Sequence, residues 1–178
     1  ESLENKPEER EKGISELLLE LDKEYMTPEY LHLVDRILAM AKDLLTEKEA
    51  EEDIFSVIIT LAGHAFFKTD RIDEQRTAAK NGIKELIIPE TIKYLISRFC
   101  KKDEEKKHII QEVFLKTSRD CASHLINTLI KAEDIYTRKN IFNILVMLGE
   151  DARIEAESLF LDNRWFVVRQ MVSLVGHI

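Results

Sequence analysis

The chain has 178 residues, 44% hydrophobic and 34% charged, enough apolar material for one domain with a real core and too much for intrinsic disorder. Five glycines and three prolines are too few for the turns of a sandwich or barrel, and two cysteines, Cys100 and Cys121, exclude a disulfide-stapled miniprotein and fit a reducing, cytoplasmic compartment. Net charge is −8, with 17 acids against 7 bases in residues 1–53 and 17 against 19 in residues 54–178, a balance that repels a phosphate backbone and makes nucleic acid an unfavoured partner.

Helix punctuation is legible along the whole chain. Residues 1–6 are expected to be disordered, and Pro7 can open a first helix ending near Glu24, with Ile14, Leu17, Leu18 and Leu21 on one face. Thr27 caps a second helix with Pro28 at its first position, running toward Leu45. Thr46 followed by Glu49 has the spacing of a capping box and starts a third helix to Phe67. That helix holds the longest uncharged run, Ile54 to Phe67, which includes His64 and falls short of the about 20 apolar residues of a membrane span. Lys68, Thr69 and Asp70 break the pattern before a fourth helix, Asp73 to Ile87, and Pro89 opens a fifth through Cys100. Helices are then expected over Asp103 to Thr117, Asp120 to Lys131, Asp134 to Leu148, Asp151 to Leu161 and Asn163 to the end. The fold class is all-α, with ten helices joined by short loops.

An internal repeat organises these helices. A basic residue recurs at one constant spacing, at Arg76, Lys107, Arg138 and Arg169. The same register aligns Ala79, Ile110, Ile141 and Val172, then Ile83, Phe114, Leu145 and Gly176, as one core-facing stripe. The preceding helices align Leu95, Leu125 and Ala156, followed by Phe99, Leu129 and Phe160. A helical hairpin of this size cannot bury its apolar stripes alone, so successive hairpins are expected to stack.

At this point the chain resembles the HEAT-repeat family. The resemblance is carried by the acid-then-base pattern at the start of second helices, Asp103 with Lys107 and Asp134 with Arg138. It extends to the closing Leu148-Gly149 and the run from Asn163 through Trp165 and Arg169 to Gly176. It covers residues 54–178 well and residues 7–53 only by helix pairing. The resemblance implies a right-handed α-α superhelix of about five hairpins, and it implies that each ladder base pairs with a turn aspartate, Asp73, Asp103 or Asp134, which caps its helix. An anion-binding stripe is the weaker reading of that ladder.

Candidate chemistry is sparse. Cys121 and His124 share a helix face beside Asp120, but two ligands do not make a zinc site. His108 and Glu112 stand at i, i+4 and read better as a solvated pair than as an acid/base pair. No nucleophile elbow or glycine-rich phosphate loop occurs in the sequence. Trp165 falls in the core sector of the helical wheel and is expected to wedge between stacked units, in preference to gating a ligand.

The opposite face of the second helices carries His108, Lys139 and Gln170, then Glu112, Asn143 and Leu174, then Leu115 and Val146. In the resembled solenoids this face is concave and binds partners. Leu115 and Val146 fit either an exposed apolar patch or a wider buried stripe. The expectation is a non-enzymatic scaffold that needs no cofactor and binds a protein or a neighbouring domain of the same polypeptide. The runner-up is an enzyme on the same architecture, of the DNA-glycosylase or bilin-lyase kind. The start at Glu1, the absence of a signal-peptide pattern and the apolar last helix suggest a piece of a longer array whose C-terminal face self-associates or frays.

Overall fold

The computed structural model describes residues 13–45 and 50–178. The helix start at Pro7, the disorder expected for residues 1–6 and the Thr46/Glu49 capping box lie outside the described residues. Within them the chain forms α1 (Ile14–Lys23), α2 (Thr27–Leu44), α3 (Glu51–Ala62), a π-helical turn (Gly63–Phe67), α4 (Asp73–Leu86), α5 (Pro89–Phe99) and α6 (Lys107–Lys116). There follow α7 (Ser118–Lys131), α8 (Ile135–Leu148), α9 (Glu150–Glu157) and α10 (Trp165–Val175), and no strand is present among the described residues. None of the described helices is long and apolar enough to cross a membrane.

The elements follow from local chemistry. Pro28 and Pro89 sit in the first turns of α2 and α5, where the missing N–H costs nothing. Asp134 caps α8, its Oδ1 accepting the Thr137 N–H at 2.7 Å. Gly149 closes α8 with φ of +63°, a conformation that strains any residue with a Cβ. The sixth helix begins at Lys107 rather than Asp103 because Glu104 organises the preceding turn. Its carboxylate accepts Lys106 N–H at 2.9 Å and Arg98 Nε at 2.6 Å, holding the chain out of helix. The ninth helix ends at Glu157, short of the expected Leu161.

The helices pack as two rows. Odd-numbered helices touch in chain order, α1 on α3, α3 on α5, α5 on α7 and α7 on α9, while α2 packs on α4, α6 on α8 and α8 on α10. One continuous apolar cluster runs between the rows from Ile14 to Leu174. Ala79, Ile110 and Ile141 are fully buried, as are Phe114 and Leu145, so the repeat register holds across α4, α6 and α8.

The register changes at α10. Its buried residues are Val167, Met171 and Leu174, and Met171 and Leu174 follow Ile141 and Ile144 of α8 at one position less than the repeat spacing. One residue of slip turns a helix by about 100°. Val172, expected in the core, is therefore 54% exposed, and Trp165, expected as a wedge, is 70% exposed like its counterpart Ile135 at the start of α8. In the odd row Leu159 rather than Phe160 packs against the core.

A polar clamp holds the N-terminal helices together. The Arg71 guanidinium donates to the carbonyls of Leu21 at 3.0 Å, Asp22 at 2.9 Å and Glu24, and so caps the end of α1 from the loop before α4. Gln75 Nε2 donates to the Tyr25 carbonyl beside it. His64, in the π-helical turn, is wholly buried, with Nδ1 3.0 Å from the Tyr30 hydroxyl and Nε2 2.7 Å from Asp22 Oδ1. An ionised carboxylate only accepts, so His64 carries its proton on Nε2 and Tyr30 donates to Nδ1. Lys68 Nζ adds a second donor to Asp22 at 2.7 Å.

Candidate partner-binding face

The exposed side of the second-helix row brings together part of the expected set. His108 on α6 and Lys139 and Asn143 on α8 are exposed. The His108 ring meets Phe67 edge-on at 5.5 Å, tying the first turn of α6 to the π-helical turn. Glu112 is half-buried, as are Leu115 and Val146, whose side chains pack against the core cluster. Of the two readings left open for Leu115 and Val146, the broad buried stripe is the one that holds.

Two members of the expected set are displaced by the one-residue slip at α10. Leu174 is 0% exposed and belongs to the core, not to the face. Gln170 is half-buried, with Nε2 3.5 Å from the Leu129 carbonyl, so it helps seat α10 on the end of α7.

The basic ladder does not pair with aspartates. Arg76 Nε donates to the Ala65 carbonyl at 3.2 Å, and Arg138 donates to the Glu133 carbonyl at 3.1 Å. Lys107 donates to the Tyr136 hydroxyl at 3.0 Å and lies over the Phe99 and Tyr136 rings, 4.9 Å from each centroid. That contact holds the Tyr136 phenol below its ordinary pKa. Arg169 stands on the shifted α10 and lines a surface cleft against α8. Among the described residues no ion pair joins these bases to Asp73, Asp103 or Asp134. Asp73 is the first residue of α4, Asp103 lies exposed in the turn before α6, and only Asp134 caps. Backbone carbonyls meet Arg76 and Arg138, and aromatic groups meet Lys107, where the family pattern implied carboxylates.

The reactive side chains stay apart. Cys121 is buried and 3.3 Å from Thr117 Oγ1, and burial pushes its thiol up to about 11. Among the described residues no three His, Cys, Asp or Glu side chains gather as a metal site. His64 has a strongly perturbed setting, but both ring nitrogens are engaged and the ring is sealed from solvent, so it holds helices and meets no substrate.

A charged recess on this face lies between α4 and α6, which barely touch each other, α6 leaning on α3 instead. It is a cleft of about 590 Å³ with Ala65 and Phe66 of the π-helical turn among its walls. Arg76, Lys80 and Lys84 line it from α4, and Lys116 and Glu112 from α6. Single-residue reasoning missed this group, although Arg76, Lys80 and Lys84 at i, i+4, i+8 were visible as one helix edge. No protein-family model and no curated protein matches the sequence.

Proposed function

We propose that the chain is a HEAT-like α-solenoid acting as a non-enzymatic binding scaffold, presenting the exposed face of α4, α6 and α8 to a partner protein or a neighbouring domain. The observation that carries this is the two-row order of helix pairs, kept in sequence from α1 to α10 with one repeat register across α4, α6 and α8. Such stacking leaves the outer side of the even-numbered helices open to a partner, broken only by the cleft where α6 leans on α3 rather than on α4. A photo-cross-linking amino acid at Asn143 on that face, against one at Lys93 on the opposite row, tests it in extracts of the source cells. Discrete adducts at Asn143 and none at Lys93 are expected, and equal labelling at both positions would refute the face assignment.

One observation favours the enzyme reading. In the α4/α6 cleft Glu112 stands among four basic side chains with Phe66 nearby, the kind of setting a DNA glycosylase requires. Exposed carboxylates of Asp73 and Glu74 stand before the row of bases on α4, which sets it against a long polyanion. A bilin-lyase reading needs a roomy apolar cavity, and the apolar pocket between α3 and α5 holds about 210 Å³, below the usual range for a bound cofactor.

The α9–α10 end carries exposed Leu161, Trp165, Phe166 and Val172, and self-association through this surface is part of the same proposal.

A further inference from the structure

Resting on the scaffold proposal, we infer that the α4/α6 cleft binds a short, extended acidic peptide segment, its carboxylates seated on Arg76, Lys80, Lys84 and Lys116. In a chain of net charge −8, four cations converge on one recess against the single carboxylate of Glu112. Among the described residues none of the four makes an ion pair, so no carboxylate there neutralises them as Lys42, Lys68, Arg98, Arg153 and Arg164 are neutralised. Many surface cations share this, and what sets these four apart is that they line one recess. Arg76 is oriented for this role: its Nε is tied to the Ala65 carbonyl, which leaves the terminal nitrogens of the fork without hydrogen-bond partners among the described residues.

Spacing sets the class of ligand. Arg76, Lys80 and Lys84 follow one another at four-residue steps along α4, a rise of about 6 Å per step and about 12 Å in all. An extended peptide places alternate side chains about 6.6–6.8 Å apart on one side, so acids at every second residue meet successive rungs. The strip is also short. Asp73 and Glu74 stand exposed before its first rung, whereas Glu85, after its last, is paired with Lys42 at 2.6 Å. A duplex with a charge every ~1.7 Å would run on over those carboxylates, while a segment of four to six residues ends before reaching them.

The test is a fluorescence-polarisation titration of the protein with a labelled six-residue peptide of alternating Glu and Ser, at low and high salt. Binding that weakens at least about tenfold from 50 to 300 mM salt is expected, since exposed charges are progressively screened over that range. Lys80→Glu with Lys84→Glu should reduce affinity at least about tenfold, and the milder Lys80→Gln with Lys84→Gln roughly threefold. Both should keep the helical circular dichroism and melting point of the parent because both side chains are exposed. Lys93→Glu, on the opposite row, should bind as the parent does. Absence of peptide binding at the lower salt concentration, or parental affinity in both cleft variants, would overturn the inference, as would tighter binding of a six-nucleotide thymidine strand than of the peptide. If the peptide fails while Asn143 still cross-links a partner, the scaffold survives and the acidic ligand does not. Failure of both removes both.

Discussion

Replacing Arg71 probes the clamp that joins α1 to the rest of the molecule. Its guanidinium serves three carbonyls at the end of α1, those of Leu21, Asp22 and Glu24, and stacks beside the Tyr25 and Tyr30 rings at 4.8 and 5.0 Å. A hydrogen bond to a charged donor contributes about 1.5–3 kcal/mol. Only the Leu21 carbonyl bond is buried; the other two carbonyls lie nearer the surface, where water can replace the lost donor at about 1 kcal/mol each. Arg71→Met should therefore cost about 3–5 kcal/mol, a large share of the total stability of an ordinary domain. Arg71→Lys keeps the charge, but an ammonium cannot reproduce a planar fork aimed at three acceptors, so a loss of about 2 kcal/mol is expected. Urea titration followed by circular dichroism measures both, and hydrogen exchange of residues 14–23 should show α1 loosening before the remaining helices. An Arg71→Lys variant as stable as the parent to within about 0.5 kcal/mol, the usual range of an inconsequential surface change, would show that the geometry of the fork is immaterial, provided α1 is equally protected.

Acid should weaken the protein in two steps. Burial holds the His64 pKa below its ordinary 6.5 despite the opposing pull of Asp22, so the unfolded chain takes up this proton first. Its contribution is complete above about pH 6.5 and declines below it. Asp22 is raised by burial but lowered further by Lys68 and His64, and it adds a second decline as pH falls below its ordinary 3.8. Urea midpoints from pH 8 to 5 test the first step, and His64→Gln should flatten it. Leu115→Asp combined with Val146→Asp should cost several kcal/mol in thermal melts because both side chains pack on the core. A change of less than about 0.5 kcal/mol, typical of exposed sites, would restore them to a surface patch. Trp165, the sole tryptophan, should emit at a solvent-exposed wavelength and be quenched by iodide in dilute protein. Its shielding should rise with protein concentration, in step with light scattering, if α10 covers itself by self-association.

Single side chains with strong local rules made much of the helix order readable. Pro28 and Pro89 mark the openings of α2 and α5, Asp134 the cap of α8 and Gly149 its end, because each acts on backbone atoms close by in the chain. The repeat periodicity likewise located the buried stripes of α4, α6 and α8. It misled at α10, where Arg169 keeps the spacing while the apolar residues Met171 and Leu174 arrive one position early. Packing answers to the apolar face and not to the repeated charge, so Leu174 went inward and Trp165 outward.

What the sequence by itself determined is therefore the all-helical class, the helix order and the core faces of the regular repeats, all set by contacts within a few residues or by periodicity. Tertiary structure alone decided the rest. Arg71 meets Leu21 across 50 residues and His64 meets Asp22 across 42, separations that leave no periodic trace. The α4/α6 cleft exists because α6 leans on α3 rather than on α4, which leaves the bases of α4 and Lys116 of α6 facing one recess. How two amphipathic helices share a third is settled by the shapes of all their side chains together, and no single helix encodes that outcome.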